Sequence, residues 1–270
     1  MGFAGPRRRS TPDRKTHAAR ARMWGRVRLT VLVNSQRLVS RLGTGTSYLV
    51  AGGGANIVLD AANGAERALR IALGGRGPDA VVVSHFHADM LHDLVPVALA
   101  LPEGGRLFLP TGSRKRFEQL LDAIDAPVER FGHLRVEDRG PGAEDAVGGL
   151  RLRWGPANHG CLGTSLRVDG DGASLAVVGD TGEVPALADF ARGASLLVAH
   201  APLLDGEDAA AARTNLTAGA AGRLARAAGV RRLALAHPPF HARVDETVDE
   251  ATREFGGPVV VLAEGETYAV

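Results

Sequence analysis

Ala80, Val81, Val82 and Val83 form an unbroken apolar run that gives way at once to Ser84-His85-Phe86-His87-Ala88-Asp89-Met90-Leu91-His92-Asp93. A short run rich in β-branched side chains suits a strand covered on both faces, as parallel strands beneath helices are. The chain is thereby committed to a layered α/β architecture in which a buried strand delivers polar side chains at its carboxyl end. Residues two apart in an extended segment point the same way, so His85 and His87 leave the strand together, and Asp89 follows where the chain turns into a helix. Two imidazoles and a carboxylate at the mouth of an apolar strand have no packing benefit to explain them. They read as ligands converging on a metal ion.

The rest of the chain alternates strand and helix patterns in two similar halves. Strands are predicted at Val27–Val33, Ser47–Val50 and Asn56–Leu59, with Gly52, Gly53 and Gly54 turning between the last two. Ala65–Leu73 has helical spacing. A helix through Leu91–Leu101 precedes a strand at Leu107–Pro110, and Ser113 is the expected N-cap of a helix reaching Ile124. Pro141–Gly149 reads as loop. Further strands are expected at Leu150–Trp154, Ser165–Val168, Ser174–Val178, Leu196–Ala199, Arg232–Ala236, Val259–Leu262 and Thr267–Val270. Helices are expected from about Thr217 to Ala228, stopped by Gly229, and from Asp245 to Phe255. Two halves of this kind predict two sheets packed face to face with helices outside, a four-layer αββα sandwich.

The 270 residues, 45% hydrophobic and 23% charged, have the composition of a globular protein with ample apolar material for such layers. The net charge of +2 is carried by arginine, and Arg7, Arg8, Arg9, Arg14, Lys15, Arg20 and Arg22 account for the excess. The remainder leans acidic, so the charge is a weak pointer to a nucleic-acid partner. Residues 1–25 are expected to be a basic extension, or to precede a true start at Met23, with 26–270 forming a single domain. Ser10 to Arg22 are polar where an export signal needs an apolar stretch. No apolar run approaches the ~18 residues of a membrane helix. Cys161 is the single cysteine, which excludes an internal disulfide and fits a reducing compartment. The expectation is a cytoplasmic protein with a small-molecule substrate and no membrane partner; a homodimer stays open.

Three more polar residues close predicted strands: His159 in Ala157-Asn158-His159-Gly160, Asp180 in Val178-Gly179-Asp180-Thr181-Gly182, and His237 after Leu233-Ala234-Leu235-Ala236. Together with His85, His87 and Asp89, and in the same order, they resemble the ligand set of the metallo-β-lactamase superfamily. Gly45-Thr46-Ser47-Tyr48-Leu49 and Ile57-Val58-Leu59-Asp60 look like the early hairpin of its ribonuclease Z-like members. The resemblance spans Val27 to Val270. It implies one zinc ion on His85, His87 and His159, with Asp180 bridging to a second ion that Asp89 and His237 also bind. Such imidazole and carboxylate donors suit zinc. The resemblance further implies a hydrolase working through a metal-bound hydroxide, the pKa of the bound water falling to about 7, with Asp89 orienting it and taking a proton.

The chain departs from that pattern in three places. Met90 stands where the superfamily has histidine, and a thioether is a poor zinc ligand in such a site, so the second site is weakened. His92 is the candidate substitute, a helix-surface histidine being the plainer alternative. His200 follows Leu196-Leu197-Val198-Ala199 where ribonuclease Z-like members carry an acidic residue, and Asn215 in Asn215-Leu216-Thr217 replaces a histidine. In the family these positions handle phosphate and the leaving oxygen, so His200 joins Asp89 as a candidate catalytic residue, while Asn215 serves equally as a helix cap. These changes, and the lack of an inserted arm of the kind the family uses on transfer RNA, argue against ribonuclease Z activity itself. His133 and His241 have no motif partner and read as surface or supporting residues. The implied function is zinc-dependent hydrolysis of phosphodiester-type substrates. The alternatives are hydrolysis of a carboxylic ester, lactone or thioester, or a non-catalytic member that uses a single zinc for binding.

Overall fold

The structure, a computed structural model, describes residues 27–35, 45–237 and 244–270. The basic stretch 1–25 and His241 lie outside the described residues. A first sheet is built from β1 (Arg28–Ser35), β2 (Gly45–Gly52), β3 (Ala55–Leu59), β4 (Ala80–Val82), β5 (Arg106–Pro110) and β6 (Arg135–Arg139). These lie side by side in chain order, with the last strand, β14 (Thr267–Ala269), antiparallel on the outer edge of β1. The second sheet holds β7 (Glu144–Val147), β8 (Leu150–Gly155), β9 (Ser165–Gly170), β10 (Ala173–Val178), β11 (Leu196–His200), β12 (Leu233–Ala236) and β13 (Val259–Val261), also in chain order. Each sheet begins as an antiparallel meander and continues as parallel strands, β3 to β6 and β10 to β13. Parallel neighbours need crossover connections, which is why the helices fall on the outer faces.

Those helices are α1 (Ala65–Ala72), α2 (Ala88–Leu91), α3 (Leu94–Leu99) and α4 (Arg114–Ala123) over the first sheet, and α5 (Ala186–Ala191), α6 (Ala218–Ala228) and α7 (Val244–Phe255) over the second. Period-two alternation sorts the strand residues between layers. On β2, Tyr48 and Val50 point between the sheets, against Leu150, Trp154, Val168 and Val177, whereas Leu49 packs outward among Leu69, Val97 and Phe117. The third apolar layer joins Val178, Leu197 and Leu235 to Leu187, Leu216 and the small residues of α6. A Cβ on Gly222 of α6 would lie 2.5 Å from the Ala251 carbonyl oxygen, so only glycine lets α6 and α7 approach this closely. The outcome is the expected αββα sandwich. Among the described residues no helix is long and apolar enough to cross a membrane.

The elements depart from expectation where side-chain contacts outweigh local pattern. The helix expected from Leu91 to Leu101 is broken into α2 and α3. Between them the Asp93 carboxylate accepts from the backbone N–H groups of Gly64 at 2.9 Å and Glu66 at 3.0 Å, capping α1 instead of continuing its own helix. Ser113 stands at the N-cap of α4, but its hydroxyl makes no capping bond and is buried without a partner. β7 lies inside the segment expected to be loop, and β6 was not predicted. Both are edge strands carrying charge on both faces, so neither shows period two. Arg106 holds them together, bonding Glu137 of β6 at 2.9 Å and Asp145 of β7 at 2.6 Å, while Arg139 pairs with the same two carboxylates. Hydrogen bonding by Arg106 keeps the Asp145 and Glu137 carboxyls below their usual range.

Candidate metal centre

The ends of β4, β8, β10, β11 and β12 meet at one rim of the sandwich. Asp60, at the end of β3 with φ of 57°, turns its carboxylate beneath the residue after β4 and accepts from the Ser84 N–H at 2.7 Å. This buried carboxyl is pushed up to about 7 by desolvation. With Ser84 pinned, His85 forms an isolated antiparallel bridge with Gly163. That bridge brings the loop after β8, and with it His159, beside the two histidines after β4. The rings of His85, His87 and His159 sit with centroids 4.7 to 5.0 Å apart, edge to face. One nitrogen from each lies within 4.8 Å of the others.

The remaining nitrogen fixes the tautomer of His159. His159 Nδ1 lies 2.7 Å from the carbonyl oxygen of Thr214, which can only accept, so Nδ1 carries the proton and Nε2 presents its lone pair. Nε2 is 3.2 Å from His87 Nδ1. His85 Nδ1 is 3.0 Å from the Ser84 hydroxyl, and His85 Nε2 is buried without a hydrogen-bond partner. Burial drives the His85 pKa down to about 3, so its ring is neutral near pH 7.

Asp180, at the end of β10, faces two ways. Oδ2 is 3.8 Å from His85 Nε2 and 3.7 Å from His159 Nε2, while Oδ1 is 2.9 Å from His200 Nδ1. Burial alone would raise this carboxyl, but the His200 hydrogen bond and the surrounding imidazoles hold it far below the ordinary range. Asp180, His200 and His237 form a second buried cluster with ligand atoms within 4.8 Å of one another. His200 and His237 stack, centroids 5.5 Å apart and planes at 10°. His237 adopts φ of 54°, and its N–H donates to Asn34 Oδ1 at 2.9 Å.

These residues fit a divalent metal. Three imidazole nitrogens converge beside an ionised carboxylate, and the orphaned His85 Nε2 would leave a buried lone pair unsatisfied unless a cation filled the space.

The other residues singled out in the sequence are placed as follows. Asp89, half-buried on α2, joins neither cluster, although its charge acts on His237. Met90 is fully buried and accepts the Thr46 hydroxyl on its sulfur at 3.4 Å. His92 is exposed at the end of α2 and belongs to neither cluster. His200, a candidate catalytic residue, is buried with Nδ1 against Asp180 and Nε2 3.0 Å from the Tyr48 hydroxyl. Asn215 is not the helix cap. Thr217 caps α6, accepting from the Ala220 N–H at 2.9 Å, while Asn215 Nδ2 donates to the Ala211 carbonyl and the Thr214 hydroxyl, bracing the turn that orients His159. His133 bonds the Arg130 carbonyl oxygen at 3.1 Å, away from the site. Thr46, Tyr48 and Thr214 also support the centre, though the sequence assigns them no site role. The first two lie in the Gly45–Leu49 segment that resembles the family's early hairpin, whereas no motif announces Thr214.

The family described as a beta-lactamase superfamily domain matches residues 55–238. An uncharacterized protein of Mycobacterium leprae is 31% identical over 262 residues, 90% of this chain and 89% of that protein. The Ribonuclease Z of Nocardia farcinica is 28% identical over 292 residues, 86% of this chain and 94% of the enzyme. Among solved structures, the metallo-beta-lactamase fold protein YhfI from Bacillus subtilis superposes with a TM-score of 0.79 at 19% identity, covering 90% of this chain and 99% of that one. The family match, the two seven-stranded sheets between helices and the histidine and aspartate clusters at their rim agree: this chain belongs to the metallo-β-lactamase superfamily of metallo-hydrolases, in its ribonuclease Z-like branch.

Proposed function

We propose that the chain is a zinc-dependent hydrolase of phosphodiester-type substrates. The observation that carries this reading is the convergence of His85, His87 and His159 beside Asp180 Oδ2, a donor set of three imidazole nitrogens and one carboxylate oxygen that suits zinc. A bound zinc ion supplies Lewis acidity and a water acidic enough to act as nucleophile near neutral pH.

The chain's own residues do the rest. Thr214 and Ser84 hold one ring nitrogen each of His159 and His85, so that the other nitrogens turn toward the common space. Asp180 neutralises charge from the second sheet. Asp89, half-buried and with its charge acting on His237, would take a proton from the attacking water. His200, enclosed by Asp180 and Tyr48, acts on the substrate only through Asp180. The phosphodiester class is supported by the likeness to an enzyme named Ribonuclease Z. The single cysteine fits a cytoplasmic setting.

The test compares zinc-loaded protein on a chromogenic phosphodiester and on a chromogenic lactone. Turnover of the phosphodiester that is lost in His87→Ala supports the reading. Turnover of the lactone alone moves the substrate class to carboxylic esters, and activity on neither rejects both.

A further inference from the structure

The two clusters do not stand in equivalent surroundings. In the first, His85 Nε2 is an orphan, and the hydrogen bond of His159 Nε2 with His87 Nδ1 at 3.2 Å runs between two of the would-be ligands themselves. In the second, His237 Nδ1 is likewise buried without a partner, but both nitrogens of His200 are already engaged. A carboxylate oxygen accepts, so at 2.9 Å His200 Nδ1 carries the proton and donates to Oδ1. On the far side of the ring, Nε2 is 3.0 Å from the Tyr48 hydroxyl. Burial raises the pKa of that phenol well above its ordinary value, so it keeps its proton and donates it to Nε2. Tyr48 thus locks the tautomer that His200 needs in order to hold Asp180.

The same strand reaches the other departure from the family pattern. Thr46 and Tyr48 lie two apart on the inner face of β2; the Thr46 hydroxyl goes to Met90 Sδ and the Tyr48 hydroxyl to His200. The position where the superfamily has a histidine and the position where its ribonuclease Z-like members have an acid are therefore served by neighbouring hydroxyls of one strand. A second ion would find His237 Nδ1 unpartnered, but Asp180 Oδ1 already bonded to an N–H, His200 without a free nitrogen, and a thioether in place of an imidazole.

We propose that Tyr48 and His200 are positioning residues that hold Asp180 for a single divalent ion, with the His200 N–H standing at the carboxylate oxygen that a second ion would use. This rests on the reading of the rim as a metal centre. It assigns His200 a role on the protein side of the site and makes the chain a one-metal member of its branch.

The experiment measures zinc per chain and zinc affinity, by competition with a chromogenic chelator, for the full-length protein and for Tyr48→Phe, His200→Ala and His200→Asn. Melting of each metal-free protein is the folding control. The asparagine amide can offer an N–H near the position of Nδ1 without a second ring nitrogen to be locked. The wild type and His200→Asn are expected to bind one zinc with similar affinity. Tyr48→Phe and His200→Ala are expected to bind it ~10- to 100-fold more weakly, the usual cost of losing a partner behind a ligand, while the metal-free Tyr48→Phe melts close to the wild type. Should His200→Ala fail to fold, Tyr48→Phe and His200→Asn decide the matter. Unchanged affinity in Tyr48→Phe overturns the relay, as does equal loss in His200→Asn and His200→Ala. Two zinc ions of equal affinity in the wild type overturn the one-metal assignment. A wild type that binds no zinc overturns the metal centre itself and not the relay alone.

Discussion

The Thr46 hydroxyl donates to the sulfur of Met90 at 3.4 Å, inside a fully buried contact between β2 and α2. Met90 is thus held by a specific polar partner in the position where the superfamily has a histidine. Its backbone carbonyl also accepts from the Ala61 N–H at 2.9 Å, so the residue is fixed at both ends. Replacing Met90→His puts an imidazole at this start of α2. The account predicts that a second zinc, weak in the parent, binds ~10-fold tighter or better, since even partners behind a ligand change affinity by that factor, while the first zinc is unaffected. Calorimetric titration of both proteins checks this, and a second-site affinity equal to the parent's counts against it.

Gly45 makes the close approach that seats α2. It has φ of +85°, and a Cβ there would lie 1.9 Å from the Asp89 carbonyl oxygen, a distance no packing tolerates. Gly45→Ala should push the start of α2 away from β2, lowering the melting temperature by several degrees and displacing Asp89. Hydrolysis should then fall more than zinc content, because the three histidines are set by β4 and the loop after β8. Comparison of zinc content with hydrolysis rate in this variant checks the separation; equal losses argue against it.

Asp60 gives a prediction with a definite sign in pH. Its folded-state pKa is raised from 3.8 to about 7 by burial, so between those values the folded chain binds the proton more strongly than the unfolded chain. This group's contribution to stability therefore falls as pH rises through that window and is constant above it. His85, lowered to about 3, acts in the opposite sense and is common to parent and variant. Asp60→Asn keeps an oxygen for the Ser84 N–H but cannot ionise. Urea unfolding at pH 5 and pH 8 should show the difference between variant and parent moving in the variant's favour at the higher pH. No change in that difference means that the carboxyl is not buried as described.

Much of this was legible because it is local. The run Ala80–Val83 is buried on both faces and had to be a central strand, and the phase of His85 and His87 after it followed from the extended backbone. The strand at Ser47–Val50 was legible too, and the fold puts Tyr48 and Val50 on one of its faces and Leu49 on the other. What was not legible depends on partners distant in sequence. β6 and β7 exist because Arg106 and Arg139 gather Glu137 and Asp145, and a strand charged on both faces shows no period. The break at Asp93 depends on backbone donors of Gly64 and Glu66 in another helix. The bond of His200 to Tyr48, a residue 152 positions away, is announced by nothing local to β11.

The central claim is that His85, His87, His159 and Asp180 hold a divalent metal, and metal content tests it most directly. Protein purified without chelator and dialysed against trace zinc should carry close to one zinc per chain by elemental analysis, and His87→Ala, prepared in parallel, should carry almost none while remaining folded. A wild type that neither carries metal nor takes it up, or a His87→Ala protein that keeps its full complement, would contradict the account.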